Sequence, residues 1–436
     1  MEKLTGKLTI SSSQVNQIKK EIKDVIDLRE AIKDNLKKTI TGLTEIILGG
    51  AINLNASDIH FEPYEKECKI RLRIDGILQE VFFFSLEIYQ ALLSRIKLLS
   101  GIKLNVTDKP QDGRFSVIFN ENLIEIRAST LPTEYGEAVV LRILNPQNLI
   151  NMEALGLRED LFKQFIKEIK QPHGMIIVTG PTGSGKTTTL YAFLKKIQRP
   201  EIKIITIEDP IEYNLEGISQ TQVDPSKGYD FASGLKSIMR QDPDVILVGE
   251  IRDLETAEIA LQAALTGHLV LTTLHANDAA STVARLIALG AKPAYIGPAL
   301  NITIAQRLVR KICPKCAQEK VLSSQEIKKI KKNLKEATLK VKIPKLVPGF
   351  KIPVAKGCKY CNFTGYRGRI GIFEAFPIDS EVERFILSKP SISALRELAI
   401  RKGMVPMKQD GILKVLNGIT TLEEIERVTG PLSEIP

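Results

Sequence analysis

The chain has 436 residues, more than the roughly 250 to 300 at which a single core stops growing, so two or three structural units are expected. With 61 Lys and Arg against 51 Asp and Glu, its net charge of +10 favours contact with phosphates, nucleic acid or an anionic membrane surface without choosing among them. No apolar run approaches the roughly 18 residues of a membrane-spanning helix, and the first residues lack the pattern of a secretion signal, so we expect a cytoplasmic protein.

The N-terminal part predicts an amphipathic helix followed by a small α+β domain. Between Val15 and Leu36, apolar residues recur at three- and four-residue spacing among many charges. This helix either lies on its own domain or forms a docking or coiled-coil arm, and Arg29 interrupts the heptads that a coiled coil needs. From about residue 41 to 145, a helix around residues 86–99 mixes with alternating strands such as 68–74 and 123–128.

Beyond Gln171 the chain alternates short apolar runs with helical stretches. The apolar runs are residues 175–178, 202–207, 245–248 and 269–274. This alternation predicts a mostly parallel sheet covered by helices on both faces. After Cys313 the sequence becomes Lys-rich and is punctuated by prolines, and helices follow Pro390, which indicates a third, smaller region.

The sequence GPTGSGKT stands between an apolar strand and a helix, the context that a phosphate-binding P-loop requires. Its glycines allow backbone N–H groups to turn toward phosphate oxygens, and the following helix directs its positive end at the same anion. We expect Lys186 to reach the β- and γ-phosphates of ATP and Thr187 to ligate Mg²⁺. The predicted nucleotide-binding residues are Gly180, Pro181, Thr182, Gly183, Ser184, Gly185, Lys186, Thr187 and Thr188.

Two acidic segments follow other predicted strands. The strand at 245–248 leads to Glu250, which is predicted to act on Mg²⁺ through water. The sequence IEDPIE places three carboxylates at the exit of another strand, and Glu212 is our candidate for orienting the attacking water. Glu208 and Asp209 either assist Mg²⁺ or are solvated turn acids.

Two of the four histidines, His268 and His275, bracket a predicted strand. At neutral pH an imidazole can donate to a γ-phosphate or sense its loss. Their odd spacing predicts that the two rings face opposite sides and do different jobs.

Four of the five cysteines form two C-x-x-C pairs, Cys313 with Cys316 and Cys358 with Cys361. Four thiolates at such spacing suit a closed, tetrahedral Zn²⁺ site, the alternatives being free thiols or a redox pair. Cys68 is predicted to be a buried apolar residue. Between the pairs, a basic stretch either meets anionic lipid or nucleic acid or forms a solvated helix face. Its lysines are Lys328, Lys329, Lys331, Lys332 and Lys335.

In this order, GPTGSGKT, IEDPIE, ILVGEIRD and TGHLVLTTLHAND resemble the Walker A, Asp box, Walker B and His box of the secretion ATPase family. That family drives type II secretion and type IV pilus assembly. Upstream, ASDIHFEP, RLRIDG, QDGRF and RASTLPT extend the resemblance, and downstream AQRLVRKICPKC and LRELAIRKGMVPMKQDGILKVLNGITTLEEIERVT do so. The resemblance covers nearly everything from about residue 41 onward.

The resemblance implies a homo-hexamer in which each subunit pairs a small N-terminal domain with a RecA-like ATPase domain, with ATP between them. It implies that Glu212 is the catalytic glutamate, Glu250 the Walker B acid, and His268 and His275 the His-box pair. The family also directs arginines of the small domain toward the γ-phosphate, where a donor that arrives on closure couples chemistry to movement. The candidates, in order, are Arg114, Arg127 and Arg95.

We therefore expect an α/β protein in five segments. They are an N-terminal helical arm (1–40), a small α+β, PAS-like domain (41–150), a RecA-like P-loop ATPase domain with a mostly parallel sheet (151–310), a tetracysteine zinc module (311–370) and a helical C-terminal region (371–436). The zinc module indicates the assembly and secretion branch, because related retraction motors generally lack it. Many assembly members carry a further N-terminal domain, and about 40 residues precede the matching region here, which leaves recruitment open.

The predicted function is a hexameric motor that uses ATP, Mg²⁺ and Zn²⁺ to power assembly of a type IV pilus or a type II secretion pseudopilus. Its predicted partner is an inner-membrane platform protein, with peripheral association at the cytoplasmic face of the inner membrane and no specific nucleic acid. The alternatives are a nucleic-acid translocating P-loop ATPase, which would show nucleic-acid-stimulated turnover, and a non-catalytic ATP-gated scaffold.

Overall fold

The computed structural model describes residues 6–335, 341 and 343–432. It divides into two compact units. Unit 1 contains the described residues up to Asn148 together with Cys313–Ala317 and Ala355–Gly368, and unit 2 contains the remaining described residues. The five-segment division stays a prediction, and residues 1–5, 336–340, 342 and 433–436 of those segments lie outside the described residues. Within the described ranges, no helix has both the length and the apolar character that crossing a membrane requires.

Unit 1 is a sheet with helices packed against it. Its strands are β1 (Lys7–Thr9), β2 (Ala56–Pro63), β3 (Glu67–Ile74), β4 (Ile77–Ser85), β5 (Gln111–Phe119), β6 (Asn122–Thr133) and β7 (Gly136–Leu144), and its helices are α1 (Ser12–Glu21), α2 (Val25–Asn35), α3 (Ile40–Asn53) and α4 (Leu86–Ser100). The strand order is β1-β5-β6-β7-β2-β3-β4. Alternation sets the sheet's faces, because Cys68, Ile70 and Leu72 of β3 are buried while the residues between them are partly exposed. The small α+β fold is as predicted, and its likeness to a PAS domain stays a prediction.

The N-terminal segment forms two helices, so the prediction of a single helix from Val15 to Leu36 is wrong. Ile22 is extended, and the side chain of Asp24 caps α2 by accepting from the Asp27 N–H at 2.8 Å. Buried apolar side chains of both helices belong to the core of unit 1, and they are Val15, Ile18, Ile22, Val25, Leu28 and Ile32. The described helices therefore lie on unit 1, as the first alternative predicted.

Unit 2 is built on a second sheet with many helices. Its strands are β8 (Gly174–Thr179), β9 (Ile204–Glu208), β10 (Ser219–Gln222), β11 (Val245–Val248), β12 (Leu269–Leu274), β13 (Leu300–Ile312), β14 (Gln318–Val321), β15 (Lys351–Val354) and, from residue 369 onward, β16 (Tyr366–Pro377). Its helices are α5 (Glu159–Glu168), α6 (Lys186–Ile197), α7 (Phe231–Ile238), α8 (Leu254–Leu265), α9 (Ala279–Ala288), α10 (Pro293–Ala299), α11 (Ser324–Asn333), α12 (Ser380–Leu387), α13 (Ile392–Arg401), α14 (Met407–Leu416) and α15 (Leu422–Thr429). The main sheet has the order β10-β9-β11-β12-β8-β13-β16, and β14 pairs with β15 separately.

The main sheet of unit 2 is parallel from β10 to β13, which confirms the predicted mostly parallel sheet. Helices cover both of its faces, since successive residues of β8 enter different cores. Met175 and Ile177 pack into one hydrophobic cluster, whereas Ile176 and Val178 pack into another. Strands buried on both faces need continuous apolar runs, which explains the unbroken sequence of β11.

Parallel strands place all their carboxyl ends at one edge of the sheet, where α/β proteins bind ligands. Four predicted motifs follow strand ends at this edge: the P-loop after β8, the IEDPIE segment at β9, Glu250 after β11 and His275 after β12. The topology therefore gathers segments that the sequence spreads over about a hundred residues.

Candidate nucleotide and metal sites

The P-loop is drawn tightly against β13. Gly180 has a φ of +147°, and a Cβ built there would lie 2.4 Å from the carbonyl oxygen of Gln306. Gly185, with a φ of +88°, is the residue from which α6 begins. Glycine meets the conformational demand at both positions, and the first N–H groups of an α-helix such as α6 have no partner within the helix. The geometry is that of an anion-binding helix terminus.

Lys186 lies over the loop that precedes it. Its Nζ donates to the carbonyl oxygens of Gly180 at 2.9 Å and of Pro181 at 3.2 Å. Burial lowers the pKa of Lys186, and the charge of Glu250 opposes that shift. The lysine and the predicted Walker B acid therefore share one electrostatic environment.

Glu250 lies in a cluster of basic side chains. The Arg252 guanidinium donates to Oε1, and His275 Nε2 lies 3.4 Å from Oε2. Arg252 Nη1 also lies 3.5 Å from Asp209 Oδ2, which links the ends of β11 and β9. Burial raises the pKa of Glu250, but the hydrogen bond from Arg252 and the charges of Arg252, His275 and Lys186 outweigh it, so the pKa is below its ordinary value. Glu250 is thus kept ionised, as a Mg²⁺-directed acid must be.

Glu208 is buried rather than solvated, and both of its carboxylate oxygens accept hydrogen bonds. It is 3% exposed, and its oxygens accept from the Tyr191 hydroxyl, from Thr206 Oγ1 at 2.5 Å and from Gln220 Nε2 at 3.1 Å. The solvated-turn alternative is therefore wrong for Glu208, whereas its assistance to Mg²⁺ stays a prediction. Glu212 follows in the half-buried loop between β9 and β10, and its backbone lies close enough to the Tyr191 hydroxyl to influence its pKa.

The two predicted histidines lie at opposite ends of β12. His275 follows the strand and reaches Glu250, whereas His268 precedes it and places Nδ1 3.0 Å from the Ala263 carbonyl oxygen. The His268 carbonyl accepts from the N–H of Gly174, the first residue of β8. A six-residue strand separates the two edges by about 20 Å, so the P-loop edge of this unit contains His275 without His268.

The three predicted arginines lie in unit 1. Arg114 and Arg127 are direct cross-strand neighbours on β5 and β6, and Arg142 of β7 continues the row. Arg95 is separate from them on α4, and its Nε is buried with no hydrogen-bond partner in the described part of the chain. Their roles in catalysis remain predictions.

Several residues at the nucleotide edge were missed from sequence. Gln306 of β13 supplies the carbonyl beside Gly180, and its Oε1 accepts from Thr189 of α6 at 2.7 Å. Arg252 lies in the ILVGEIRD motif, but the sequence predicted no role for it. Two of the three partners of Glu208, Tyr191 and Gln220, are neutral side chains without a motif spacing, so the sequence carried no chemical signal for them.

The four predicted zinc cysteines come together in unit 1, with their Sγ atoms all within 4.8 Å of one another. The separations are 4.0 Å between Cys313 and Cys358, 3.7 Å between Cys316 and Cys361, and 3.8 Å between Cys358 and Cys361. Tetrahedral ligation at a Zn–S distance of about 2.3 Å requires sulfur atoms about 3.8 Å apart. The donor set therefore fits Zn²⁺. Cys68 lies elsewhere in the core, where burial raises the pKa of its thiol to about 12.

The basic stretch between the cysteine pairs forms α11 in unit 2. Ile327 and Ile330 are buried, whereas Lys328 and Lys331 are exposed. Lys329 Nζ lies 3.8 Å from Glu426 Oε1. An amphipathic helix with one buried face accounts for this pattern, and both alternatives for its exposed lysines stay predictions.

Comparison with known proteins identifies the family. A model described as type II/IV secretion system protein matches residues 33–427. Type II secretion system protein E of Dickeya dadantii is 45% identical over 413 residues, which cover 94% of this chain and 79% of that protein. Type IV pilus assembly ATPase PilB of Myxococcus xanthus is 41% identical over 420 residues, which cover 95% of this chain and 71% of that protein.

Two solved structures are similar to this chain over most of its length. The pilus retraction motor PilT with bound ADP is similar with a TM-score of 0.59 and 26% identity, covering 88% of this chain and 96% of that chain. The ATPase DotB of Legionella pneumophila, with a TM-score of 0.63 and 22% identity over 89% of this chain and 95% of that chain, shows the shared fold. The chain therefore belongs to the type II/IV secretion system protein family and is one of its ATPases.

Proposed function

We propose that the chain hydrolyses Mg-ATP at its P-loop and uses the free energy to assemble a type IV pilus or a type II secretion pseudopilus. The observation that supports this proposal most directly is the proximity of Lys186, Glu250 and His275 at the sheet edge that carries the P-loop. Relatives named as type II secretion protein E and as a pilus assembly ATPase support the biological setting. The alternative of a nucleic-acid translocase finds no support in the family match.

Each residue at the edge has a proposed task. The P-loop N–H groups and Lys186 bind and orient the triphosphate, and Thr187 and the ionised Glu250 hold the metal and its water. Bound Mg²⁺ would neutralise charge on the β- and γ-phosphate oxygens. Glu212 orients the attacking water and accepts its proton, and His275 donates toward the γ-phosphate. We assign His268 and the arginines Arg114, Arg127 and Arg95 to catalysis on the strength of the family resemblance.

The proposed assembly is a homo-hexamer on the cytoplasmic face of the inner membrane, bound to a membrane platform protein. The family's place in secretion and pilus systems supports this arrangement. We also propose that Cys313, Cys316, Cys358 and Cys361 hold a structural Zn²⁺, since a closed four-thiolate site leaves no position for chemistry. Light scattering in the presence of nucleotide tests the hexamer, and capture of the cognate platform protein tests the partner.

Phosphate release and nucleotide binding test the catalytic proposal. We expect Lys186→Ala to lose ATP binding, because it removes the cation that lies over the loop. Glu212→Gln should bind ATP yet lose most turnover. Lys195→Ala is the matched control, since Lys195 is exposed in the last turn of the same helix and should behave as wild type. Unchanged phosphate release by Lys186→Ala would overturn the proposal.

A further inference from the structure

The buried Glu208 carboxylate joins the nucleotide-binding helix to the loop that carries Glu212. Its Oε2 accepts from the hydroxyl of Tyr191, which is on α6, five positions after Lys186. Its Oε1 accepts from Thr206 and from Gln220 of β10. Buried carboxylate oxygens need hydrogen-bond donors, and Glu208 in turn fixes the position of each of these donors.

Gln220 extends this connection into the loop. Its Nε2 lies 3.0 Å from the Tyr213 carbonyl oxygen in addition to its bond to Glu208, and its Oε1 accepts from the Leu215 N–H at 2.7 Å. The amide can stand only one way, because turning it over would set its NH₂ against the Leu215 N–H. One side chain therefore fixes the backbone at both ends of residues 213–215, immediately after Glu212.

Tyr191 contacts the same loop directly. Its ring packs edge-on against the ring of Tyr213, with 6.4 Å between centroids and 72° between planes. Burial raises the pKa of Tyr191, and the charge of Glu208 raises it further, so the hydroxyl remains a donor throughout the neutral range. α6 and the Glu212 loop are thus joined by one apolar contact and one chain of hydrogen bonds.

We propose that Tyr191, Glu208 and Gln220 are positioning residues. They hold Glu212 in a fixed position relative to α6, the helix that follows the P-loop. This inference rests on the proposed role of Glu212 as the residue that orients water. A carboxylate in that role must be placed within a fraction of an ångström, and a misplacement of about 1 Å costs about 100-fold in rate. Movement of α6 on nucleotide binding would reach Glu212 through this chain.

Gln220→Ala tests the proposal in the full-length protein with Mg-ATP. We expect kcat to fall by about 10- to 100-fold, while the affinity for a non-hydrolysable ATP analogue stays at its wild-type value. Gln222→Ala, an exposed glutamine on the same strand, is the matched control and should leave both quantities unchanged. If Gln220→Ala does not fold, Tyr191→Phe removes a single hydroxyl and carries the same expectation. Wild-type kcat in the folded variant would overturn the proposal.

The decisive measurement repeats the substitution in Glu212→Gln protein under single-turnover conditions. A residue that acts through Glu212 should cause no further loss once that carboxylate is gone, whereas a general structural role would lower the residual rate by the same factor as in wild type. Equal loss in both backgrounds therefore contradicts positioning. Failure of the proposed function is distinguishable, because Glu212→Gln alone would then turn over ATP like wild type.

Discussion

His275 Nε2 lies 3.4 Å from Glu250 Oε2, at the point where β11 and β12 end beside the P-loop. The imidazole is within reach of the acid that we assign to Mg²⁺, and its side chain is 55% exposed. We expect His275→Ala to lower kcat by about tenfold or more, in line with the loss of a positioned donor. Steady-state phosphate release measures the effect.

His268→Ala is tested by Mg-ATP affinity rather than by phosphate release, because the proposal assigns both histidines to catalysis. Its ring is held by the Ala263 carbonyl at the opposite edge of the sheet, so its removal should leave Mg-ATP affinity unchanged. A fall in the Mg-ATP affinity of His268→Ala would show that this ring acts at the nucleotide edge, contrary to its position at the opposite edge of the unit 2 sheet.

Zinc content is the second prediction. Purified protein should carry one zinc ion per chain by elemental analysis. Cys361→Ser should lose the zinc together with thermal stability, because the free energy of metal binding contributes directly to folding. Cys361 is the informative position, since its Sγ also accepts from the N–H groups of Cys358 and Gly365. Cys68→Ala should retain the metal. Four thiols of wild type that titrate freely without a chelator would refute the site.

The third prediction concerns a buried charge cluster in unit 2. Asp410 is fully buried, and its carboxylate lies 2.7 Å from both Arg158 Nη1 and Lys414 Nζ. Asp410→Asn should lower the free energy of unfolding by about 3 to 5 kcal/mol, because it removes the counter-charge of the buried Lys414 and one of the two carboxylates that Arg158 contacts. Urea denaturation gives the value. Glu159→Ala, in an exposed pair with Lys163, should have no measurable effect, and equal effects would contradict the argument.

The fourth prediction is a pH dependence that arises from Glu374. This carboxylate is 2% exposed and accepts from the first N–H groups of α9 and α14, at Ala279 and Met407. Burial raises the pKa of Glu374 despite these bonds and the charge of Arg396. A raised pKa in the folded state means that its contribution is greatest below the ordinary value of 4.5 and declines as pH rises through the folded pKa.

We therefore expect the difference in melting temperature between wild type and Glu374→Gln to be largest near pH 4.5 and to narrow toward pH 7.5. Thermal unfolding at a series of pH values measures it. A difference that widens with pH would show that the folded carboxyl group is the stronger acid, opposite to the expected sign.

The strands and motifs of unit 2 could be predicted because their signals are local. The runs at 245–248 and 269–274 coincide with β11 and β12, since a strand buried on both faces must be continuously apolar. The P-loop was equally clear, because its glycines meet backbone demands such as the close approach at Gly180.

Other features depended on contacts that sequence patterns do not record. The apolar repeat continues through Ile22 and Val25, which are both buried. The repeat therefore gave no sign that α1 ends at Glu21 and that Asp24 caps the start of α2. The cysteine spacing predicted the four candidate zinc ligands but not the structural unit to which they belong. That was set by long-range bonds in unit 1, from the Val25 N–H to Asn362 Oδ1 at 2.9 Å and from the Gly368 N–H to Asp75 Oδ2 at 2.7 Å.

The Thr179 hydroxyl at the end of β8 donates to the Leu274 carbonyl oxygen at 2.6 Å and accepts from the Ala276 N–H at 2.8 Å. The hydroxyl is therefore hydrogen-bonded to the backbone on both sides of His275. A shift of the strand that leads into the P-loop therefore reaches the chain beside that imidazole through this oxygen as well as through the backbone pairing of Thr179 with Leu274. Thr179→Val, which keeps the shape and deletes the oxygen, would remove the side-chain connection and leave the backbone pairing of the two strands.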